Sequence, residues 1–418
     1  MAEFLIRGGK ALSGEVQIAG SKNAVFPCIA ASLLTEQEVI LRNVPAISDV
    51  SVMIEVVRDL GVEASFDIER RVLRILSKNL TKYSISDALG KKFRGSILFA
   101  GALLGRMRQA EFPVPGGDKL GARPLEAHFS MFRDLGVSIS EGERIKLNGS
   151  KMRSGVIFLD EPSVTVTENA IISSVLLPGK TEIRLAAVEP HIQILVKFLN
   201  CMGAKISWKD LGVLEIDGVS KLTGVDFVIN PDELEVSGFA TMAAATRSEI
   251  LLKGIELRFL DAVLMQLKKM GVEFEVRETD LLIKRSSREF NAFRVQSGLY
   301  PKLMSDHIPP FAVLATQSRG TSMIHEWLYE GRLKYIEELA KMGAHTEILD
   351  PHRALITGPT PLKGANMISY DIRAGLTVVI AALVASGETR ISGVEVIDRG
   401  YEFFENRLKN IGADIKRI

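Results

Sequence analysis

The sequence predicts an α/β protein of two similar domains, each built from three repeat units around buried helices. Three observations lead to this fold class. The chain has 418 residues, too many for one typical domain. A short tag of an apolar residue, Gly, and Val or Ala recurs at intervals of about 70 residues. Two kinds of helical pattern alternate within each interval, so that six units fill the chain.

The tag marks the end of an amphipathic helix. Before it, as in VSVMIEVVRDL and LKYIEELAKM, apolar residues recur three and four positions apart. A glycine just beyond a helix commonly takes the positive φ that ends it. We therefore expect a helix before each tag and a strand after it. The tag glycines are Gly61, Gly136, Gly203, Gly271, Gly343 and Gly412.

The second helical pattern is apolar on all sides, which is typical of an interior helix. Its examples are AVFPCIAASLL, GSILFAGALLGR, ENAIISSVLL, SGFATMAAATR, PPFAVLATQ and LTVVIAALVA. Short β-rich runs such as EVILRNV and ETRISGV complete each unit. The period fits neither a helical solenoid nor an eight-fold barrel. An open repeat array remains the alternative, because periodicity cannot show closure.

Composition and charge exclude several classes of protein. With 46% apolar and 25% charged residues, the chain is neither disordered nor fibrous. Its net charge of +1 gives no reason to expect nucleic-acid binding, so anionic partners must meet local cations. The longest apolar stretches are too short to span a membrane. The start, MAEFLIRGGK, lacks a signal-peptide pattern, and we expect a cytoplasmic protein.

The cysteine and histidine pattern gives no support for a metal or a cofactor. Cys28 and Cys201 each lie in an apolar helical pattern, so we expect two buried, reduced thiols and no disulfide. The six histidines are scattered, and neither CxxC nor HxxxH occurs.

Candidate binding residues begin at Gly20, directly before the first apolar helix. Lys22 and Asn23 at a helix N-terminus combine a cation, an amide and free backbone N–H groups, which suits an anion. The alternative is plain capping by Ser21 or Asn23, with Lys22 in solvent.

A long glycine-containing loop, EFPVPGGDKLGARPLEAHF (111–129), encloses Asp118, Lys119 and Arg123. Loops of this length are typical of lids and binding segments. Asp118 is a candidate general acid, provided that closure desolvates it and raises its pKa. An exposed Asp turn is the alternative.

Arginines precede several predicted helices, at Arg94, Arg332, Arg373 and Arg399. Guanidinium groups suit bidentate recognition of phosphate and carboxylate, although each of these arginines also fits a surface ion pair. Asp306, in YPKLMSDHIPPF, is open to two interpretations: a helix N-cap, which we favour from the pattern, or a general base.

Together these segments resemble the enolpyruvyl transferase family nearly end to end. The matching motifs are GSKNA (20–24), PGGDKLGARP (115–124), SVTVTENA (163–170), VEPHI (188–192), LDAV (260–263), YP and SD (300–306), DIRAG (371–375) and IDRGYE (397–402). The SKN opening is similar to the sugar-nucleotide branch, since the shikimate-pathway branch opens with an SKS-type sequence.

The resemblance implies an inside-out α/β barrel that closes on its substrates. Domain I would comprise residues 1–21 and 231–418, and domain II residues 22–230. The implied reaction transfers the enolpyruvyl group of phosphoenolpyruvate to the 3′-hydroxyl of UDP-N-acetylglucosamine and releases phosphate. This is the first committed step of peptidoglycan synthesis, on which cell-wall biogenesis, cell shape and cell division depend.

The resemblance also implies roles for residues. Lys22, Arg123 and Arg399 would bind the anionic groups of phosphoenolpyruvate, supported by Arg94 and Arg373. Asp118 would be the general acid, and Asp306 would contact the sugar and help to remove its 3′-hydroxyl proton. The residues implied for the nucleotide-sugar site are Asn23, Arg123, Pro124, Leu125, Glu126, Ala127, Ser163, Val164, Thr165, Leu328 and Arg332.

Four positions depart from the family pattern. A cysteine is commonest where this chain has Asp118, and a carboxylate is a poorer nucleophile than a thiolate toward the epoxide fosfomycin, so we expect insensitivity to it. His191 replaces a frequent acidic residue, Met304 a frequent Pro and Gly331 a frequent Asn, and these departures bear on substrate preference and turnover. Alternatives are a shikimate-pathway or other nucleotide-sugar enolpyruvyl transferase, and an inactive ligand-binding paralogue.

Overall fold

The computed structural model describes residues 2–116 and 124–418. The α-helices of this part are α1 (Lys22–Ala31), α2 (Ser48–Asp59), α3 (Asp87–Gly90), α4 (Leu98–Met107), α5 (Glu126–Asp134), α6 (Val164–Ser174), α7 (Pro190–Cys201), α8 (Glu233–Ala245), α9 (Asp261–Met270), α10 (Ile308–Thr316), α11 (Lys334–Lys341), α12 (Ile372–Val384) and α13 (Phe404–Asn410). Its 3₁₀ helices are Ser32–Leu34, Ser77–Asn79, Arg94–Ile97, Leu257–Phe259, Ser305–His307 and Val394–Arg399.

Short strands accompany these helices. Those in the described residues are β1 (Glu3–Arg7), β2 (Ser13–Gln17), β3 (Val39–Arg42), β4 (Glu63–Asp67), β5 (Val72–Leu76), β6 (Gln109–Phe112), β7 (Ser138–Ser140), β8 (Ile145–Asn148), β9 (Val156–Phe158), β10 (Lys180–Arg184), β11 (Lys205–Asp210), β12 (Val213–Asp217), β13 (Val225–Val228), β14 (Glu249–Lys253), β15 (Phe274–Arg277), β16 (Asp280–Ile283), β17 (Phe290–Asn291), β18 (Arg294–Gln296), β19 (Ser318–His325), β20 (His345–Asp350), β21 (Arg353–Gly358), β22 (Asn366–Ile368), β23 (Glu388–Ser392) and β24 (Asp414–Arg417).

The chain forms two compact units. The first unit contains residues 2–19 and Pro231–Ile418, and the second contains the described residues from Gly20 to Asn230. The chain therefore leaves the first unit after β1 and β2, builds the second, and then returns.

The first unit has three small sheets, ordered β22-β23-β1-β24, β15-β16-β14-β2 and β17-β19-β21-β20, with β18 also paired to β19. Each sheet mixes parallel and antiparallel pairs. β1 lies between β23 and β24, so that Phe4 is opposite both Ile391 and Arg417. The backbone of Glu3 also exchanges hydrogen bonds with Ile418.

The second unit repeats this plan. Its sheets are ordered β13-β3-β5-β4, β11-β12-β10-β9 and β6-β8-β7. In the last sheet a single parallel bridge between Ser84 and Glu111 stands at the position of a fourth strand. Three sheets in each unit agree with three repeat units in each.

Buried helices fill the interior of each unit, as their all-apolar sequences predict. Every residue of α8 and α10 is buried, and α12 is buried over Ile372–Leu383. These three helices contact one another in the first unit, while α4 contacts α1 and α6 in the second. The sheets lie outside them, which is the inside-out arrangement, and the predicted fold class is confirmed.

The six tag glycines all adopt positive φ, between 83° and 97°. Each follows an amphipathic helix, α2, α5, α7, α9, α11 or α13, and precedes a strand. The helix-to-strand interpretation of the tag is therefore confirmed at every repeat.

One prediction about the cysteines is wrong. Cys28 is buried and Cys201 is exposed, although both are free thiols. Cys201 is the last residue of the amphipathic helix α7, whose buried face carries Phe198 and Leu199, so its side chain falls on the solvent side. Among the described residues, no helix is both long and apolar enough to cross a bilayer.

Candidate active site

Asp306 is the centre of an ion-pair cluster in the first unit. It lies in the 3₁₀ helix Ser305–His307, directly before α10. Arg332 donates from Nη2 to Oδ1 at 2.7 Å, and Arg373 donates from Nε to Oδ2 at 3.2 Å. The two arginine side chains are 3% and 5% exposed, whereas that of Asp306 is 32% exposed. One part of the carboxylate therefore remains open to a ligand.

The two arginines determine the charge of Asp306. Burial acts to raise its pKa, but the positive charges and hydrogen bonds of Arg332 and Arg373 outweigh burial and hold the pKa well below its ordinary value. Asp306 is thus ionised at neutral pH. An incoming anion that engages either arginine would weaken this effect and make the carboxylate a stronger base.

Arg332 is held by groups that the sequence did not reveal. Its Nη1 lies 3.3 Å from Oγ of Ser305, which donates to Oε2 of Glu326 at 2.9 Å. The other oxygen of Glu326 accepts from the backbone N–H groups of Leu328 and Tyr329. The fully buried Glu326 thereby joins the Asp306 segment to the turn that carries Leu328, whose side chain is exposed.

Arg373 is fixed by the start of α12. Asp371 is the N-cap, and its Oδ1 accepts from the backbone N–H groups of Arg373 and Ala374 at 2.8 and 2.9 Å. The Arg373 side chain donates to the buried hydroxyl of Tyr401 at 2.8 Å. The position of Arg373 at a helix start was predicted, but its contacts with Asp306 and Tyr401 were not.

The capping interpretation of Asp306 is wrong. No side chain caps either the 3₁₀ helix or α10, and the Asp306 carboxylate is taken up by the ion pairs with Arg332 and Arg373. The interpretation of these arginines as surface ion pairs is also wrong, because both are buried. Arg399 is half-buried at the end of the 3₁₀ helix Val394–Arg399.

In the second unit, Lys22 is the first residue of α1, and Ser21 caps the helix by accepting from the backbone N–H of Ala24 at 3.4 Å. The capping alternative required Lys22 to lie in solvent, and the structure shows it buried instead. Its Nζ donates to Oδ2 of Asp49 at 2.7 Å, with the two side chains only 10% and 6% exposed. Asn23, beside it, is half-buried.

Arg94 begins the 3₁₀ helix Arg94–Ile97 and donates from Nη2 to the carbonyl of Pro124 at 3.2 Å. This contact joins one predicted cation to the predicted nucleotide-sugar segment. Leu125 is the N-cap of α5, and Glu126 and Ala127 form its first turn. Ser163 is the N-cap of α6, followed by Val164 and Thr165, and these three residues are half-buried.

The candidates Asp118, Lys119 and Arg123 lie outside the described residues. Of the departures from the family pattern, His191 is buried in the first turn of α7. Met304, two residues before Asp306, and Gly331, directly before Arg332, are both half-buried. Asp306, Arg332 and Arg373 are therefore the predicted residues that the structure brings into direct contact within the first unit.

Comparison with known proteins agrees with this fold. The EPSP synthase (3-phosphoshikimate 1-carboxyvinyltransferase) family matches residues 6–408. The chain belongs to this family of carboxyvinyltransferases.

Several relatives carry one particular name, UDP-N-acetylglucosamine 1-carboxyvinyltransferase. That of Treponema denticola is 40% identical, covering 100% of this chain and 99% of the relative. That of Bacteroides fragilis is 39% identical, with both chains fully covered.

Solved structures share the fold at lower identity. The enolpyruvyl transferase NikO from Streptomyces tendae superposes with a TM-score of 0.92 at 22% identity, covering 100% of this chain and 98% of its own. EPSP synthase from Acinetobacter baumannii gives a TM-score of 0.81 at 19% identity, with both chains fully covered.

Proposed function

We propose that this chain transfers the enolpyruvyl group of phosphoenolpyruvate to the 3′-hydroxyl of UDP-N-acetylglucosamine, with release of phosphate. The reaction would take place in the cytoplasm as the first committed step of peptidoglycan synthesis, and so serve cell-wall biogenesis, cell shape and cell division. The observation that carries this proposal is the end-to-end similarity, at about 40% identity, to proteins named for that reaction.

The chemistry proceeds by addition and elimination. In the addition, the 3′-oxygen bonds to C2 of phosphoenolpyruvate, its proton passes to Asp306, and the methylene carbon gains a proton from Asp118. In the elimination, the ionised Asp118 takes a proton back from that carbon, the C–H electron pair forms the new double bond, and the bond between C2 and the phosphate oxygen breaks. Phosphate leaves with the electron pair of the broken bond, and Asp306 gives up its proton to the departing phosphate. Asp306 is ionised and partly exposed, as a base must be, and its basicity would rise when an anionic substrate engages Arg332 or Arg373.

Cations neutralise the negative charge that the two anionic substrates bring. We assign Lys22, Arg123 and Arg399 to phosphoenolpyruvate, with Arg94 and Arg373 in support. The ion pairs of Lys22 with Asp49 and of Arg373 with Asp306 keep these cations in place before substrate arrives. The nucleotide-sugar site comprises Asn23, residues 123–127 and 163–165, Leu328 and Arg332.

A two-acceptor assay tests the proposal. Phosphoenolpyruvate is incubated with UDP-N-acetylglucosamine or with shikimate 3-phosphate, while phosphate release and product mass are followed. We expect release only with the nucleotide sugar. Release only with shikimate 3-phosphate would assign the chain to the other branch, and nucleotide-sugar binding without any release would indicate an inactive paralogue.

A further inference from the structure

Glu233 is a buried carboxyl group that the proposed mechanism does not use. It is the first residue of α8 and is 2% exposed. Among the described residues, neither of its side-chain oxygens has a hydrogen-bond partner of good geometry, and only the backbone N–H of Glu233 itself acts on them as a donor. Burying an ionised carboxylate without a partner is strongly unfavourable, so such a group tends to keep its proton.

The neighbouring carboxyl groups differ from Glu233 in this respect. Asp232 accepts hydrogen bonds from the backbone N–H groups of Leu234 and Glu235, at 2.8 and 3.3 Å. Glu235 pairs with Arg407, with the shortest contact at 2.5 Å. Burial also raises the pKa of Asp232, to about 6, but its two backbone hydrogen bonds oppose this rise, so Glu233 is the one of the two adjacent carboxyl groups that keeps its proton at neutral pH. Burial, and then the Asp232 carboxylate, raise the pKa of Glu233 to about 8.

Glu233 also lies within the electrostatic field of the Asp306 cluster. The charged groups that act on it most are Asp232, Arg373 from α12, and Asp306. A hydrogen bond of 2.8 Å between Nδ1 of His307 and Oγ of Ser237 ties the Asp306 segment to α8. Of the other elements against α8, α10 carries no ionisable side chain. β14 and β16 carry Glu249, Lys253 and Asp280, which are exposed or half-buried.

We propose, on the basis of the function proposed above, that Glu233 is a positioning residue that must carry its proton for an anionic group of phosphoenolpyruvate to bind at Arg373. Asp306 and Asp232 already offset part of the positive charge of Arg373. An ionised Glu233 would add a third negative charge that interacts with Arg373. Coulombic interactions are strong in a buried environment, so this extra charge would repel an incoming anion.

The test is the pH profile of kcat/KM for phosphoenolpyruvate in wild type and in Glu233→Gln. For the wild type we expect kcat/KM to fall about tenfold between pH 7 and pH 9, mainly through KM, as one group ionises. Glu233→Gln cannot ionise and should lose this alkaline limb. Glu233→Asp should keep an alkaline limb because it retains a carboxyl group. An unchanged limb in Glu233→Gln would overturn the proposal.

A matched control is Glu347→Gln, which changes an exposed carboxylate on β20 and should keep the wild-type profile.

Infrared difference spectra give a readout without turnover: the wild type at pH 6.5 should show the band of a protonated carboxyl group that Glu233→Gln lacks. Calorimetry of phosphoenolpyruvate binding at pH 7 and pH 9 also needs no turnover. Failure of the transfer reaction and failure of this inference are therefore distinguishable. If the wild type lacks the protonated-carboxyl band, the inference about Glu233 is wrong.

Discussion

Asp306 retains its charge because two buried arginines share it, and this makes it a specific target for substitution. In Asp306→Asn the amide cannot take the 3′-hydroxyl proton. We expect kcat to fall by about 10²- to 10⁴-fold, the usual contribution of a general base. Phosphate release under saturating substrates measures the loss, and circular dichroism checks the fold.

The control for this substitution is Asp350→Asn. Asp350 accepts from His352 and Arg353 in the hairpin of β20 and β21, so the change removes one carboxylate elsewhere in the first unit. It should leave turnover unaffected. Wild-type turnover in Asp306→Asn would exclude Asp306 as the base.

His128 offers a prediction about stability and pH. It is 2% exposed, and neither ring nitrogen has a hydrogen-bond partner among the described residues. Burial, followed by the charge of Arg94, lowers its pKa to about 3. The unfolded chain takes up a proton below pH 6.5 and the folded chain does not, so acid favours unfolding.

Between pH 6.5 and 5.5 we therefore expect His128 to remove about 1 kcal/mol from the free energy of unfolding. His128→Leu should lose less stability than the wild type over this interval, as measured by urea unfolding at each pH. His345→Leu, at an exposed position on β20, is the control. Parallel pH dependence in the wild type and His128→Leu would contradict the prediction.

Asp118 gives a prediction about inhibition. A carboxylate is a poorer nucleophile than a thiolate toward an epoxide, so fosfomycin should not inactivate the enzyme. Turnover in the presence of fosfomycin should match turnover in its absence, and Asp118→Cys should gain sensitivity. Stoichiometric labelling of Asp118 detected by mass spectrometry would refute this expectation.

At the scale of elements, α4 and α6 approach so closely that only glycine fits between them. The backbone N–H of Gly101 donates to Oδ1 of Asn169 at 2.8 Å. A Cβ on Gly101 would lie 2.6 Å from that oxygen and 2.9 Å from the Asn169 carbonyl oxygen. Gly101→Ala should lower the free energy of unfolding by about 1–3 kcal/mol, the usual cost of overpacking.

Gly155→Ala is the comparison for this substitution, because a Cβ at Gly155 would meet nothing within 4 Å. It should leave stability unchanged or raise it by up to about 1 kcal/mol. Chemical denaturation of the three proteins measures both effects. Equal stability of Gly101→Ala and the wild type would mean that the helices separate at little cost.

The elements were predictable from sequence because their causes are local. Helix periodicity and a glycine at positive φ act within a few residues, and all six tags behave as predicted. The contacts of the site are not local. Asp49 is 27 residues from Lys22, and Arg373 is 67 residues from Asp306, so no spacing rule pairs them. The sequence shows Glu233 as a carboxyl group at a predicted helix start. Which hydrogen-bond donors its side chain meets depends on the fold, so the sequence could not show that.

At the scale of the whole molecule, each unit has its own interior. The core cluster around α8, α10 and α12 contains residues of the first unit only. The predicted cations are divided as well, with Arg373 and Arg399 in the first unit and Lys22 and Arg94 in the second. Their gathering in one substrate cleft stays a prediction.

The two tryptophans allow the units to be followed separately, since Trp208 belongs to the second unit and Trp327 to the first. In a Trp327→Phe background, Trp208 fluorescence should show the full destabilisation by Gly101→Ala. In a Trp208→Phe background, the Trp327 transition should shift less, because Gly101 is not part of its core. Equal shifts would show that the units unfold as one.

The position of β1 between β23 and β24 has a consequence for biosynthesis. On a ribosome that adds about 5–20 residues per second, the N-terminal strand must wait about 20–75 s for its partners, which begin at Glu388. The described residues from Gly20 to Asn230, which form the second unit, are all translated during that wait, so this unit can fold first. The nascent chain therefore carries an unpaired strand through most of its translation, and a chaperone that shields short exposed strands would help it most at that stage.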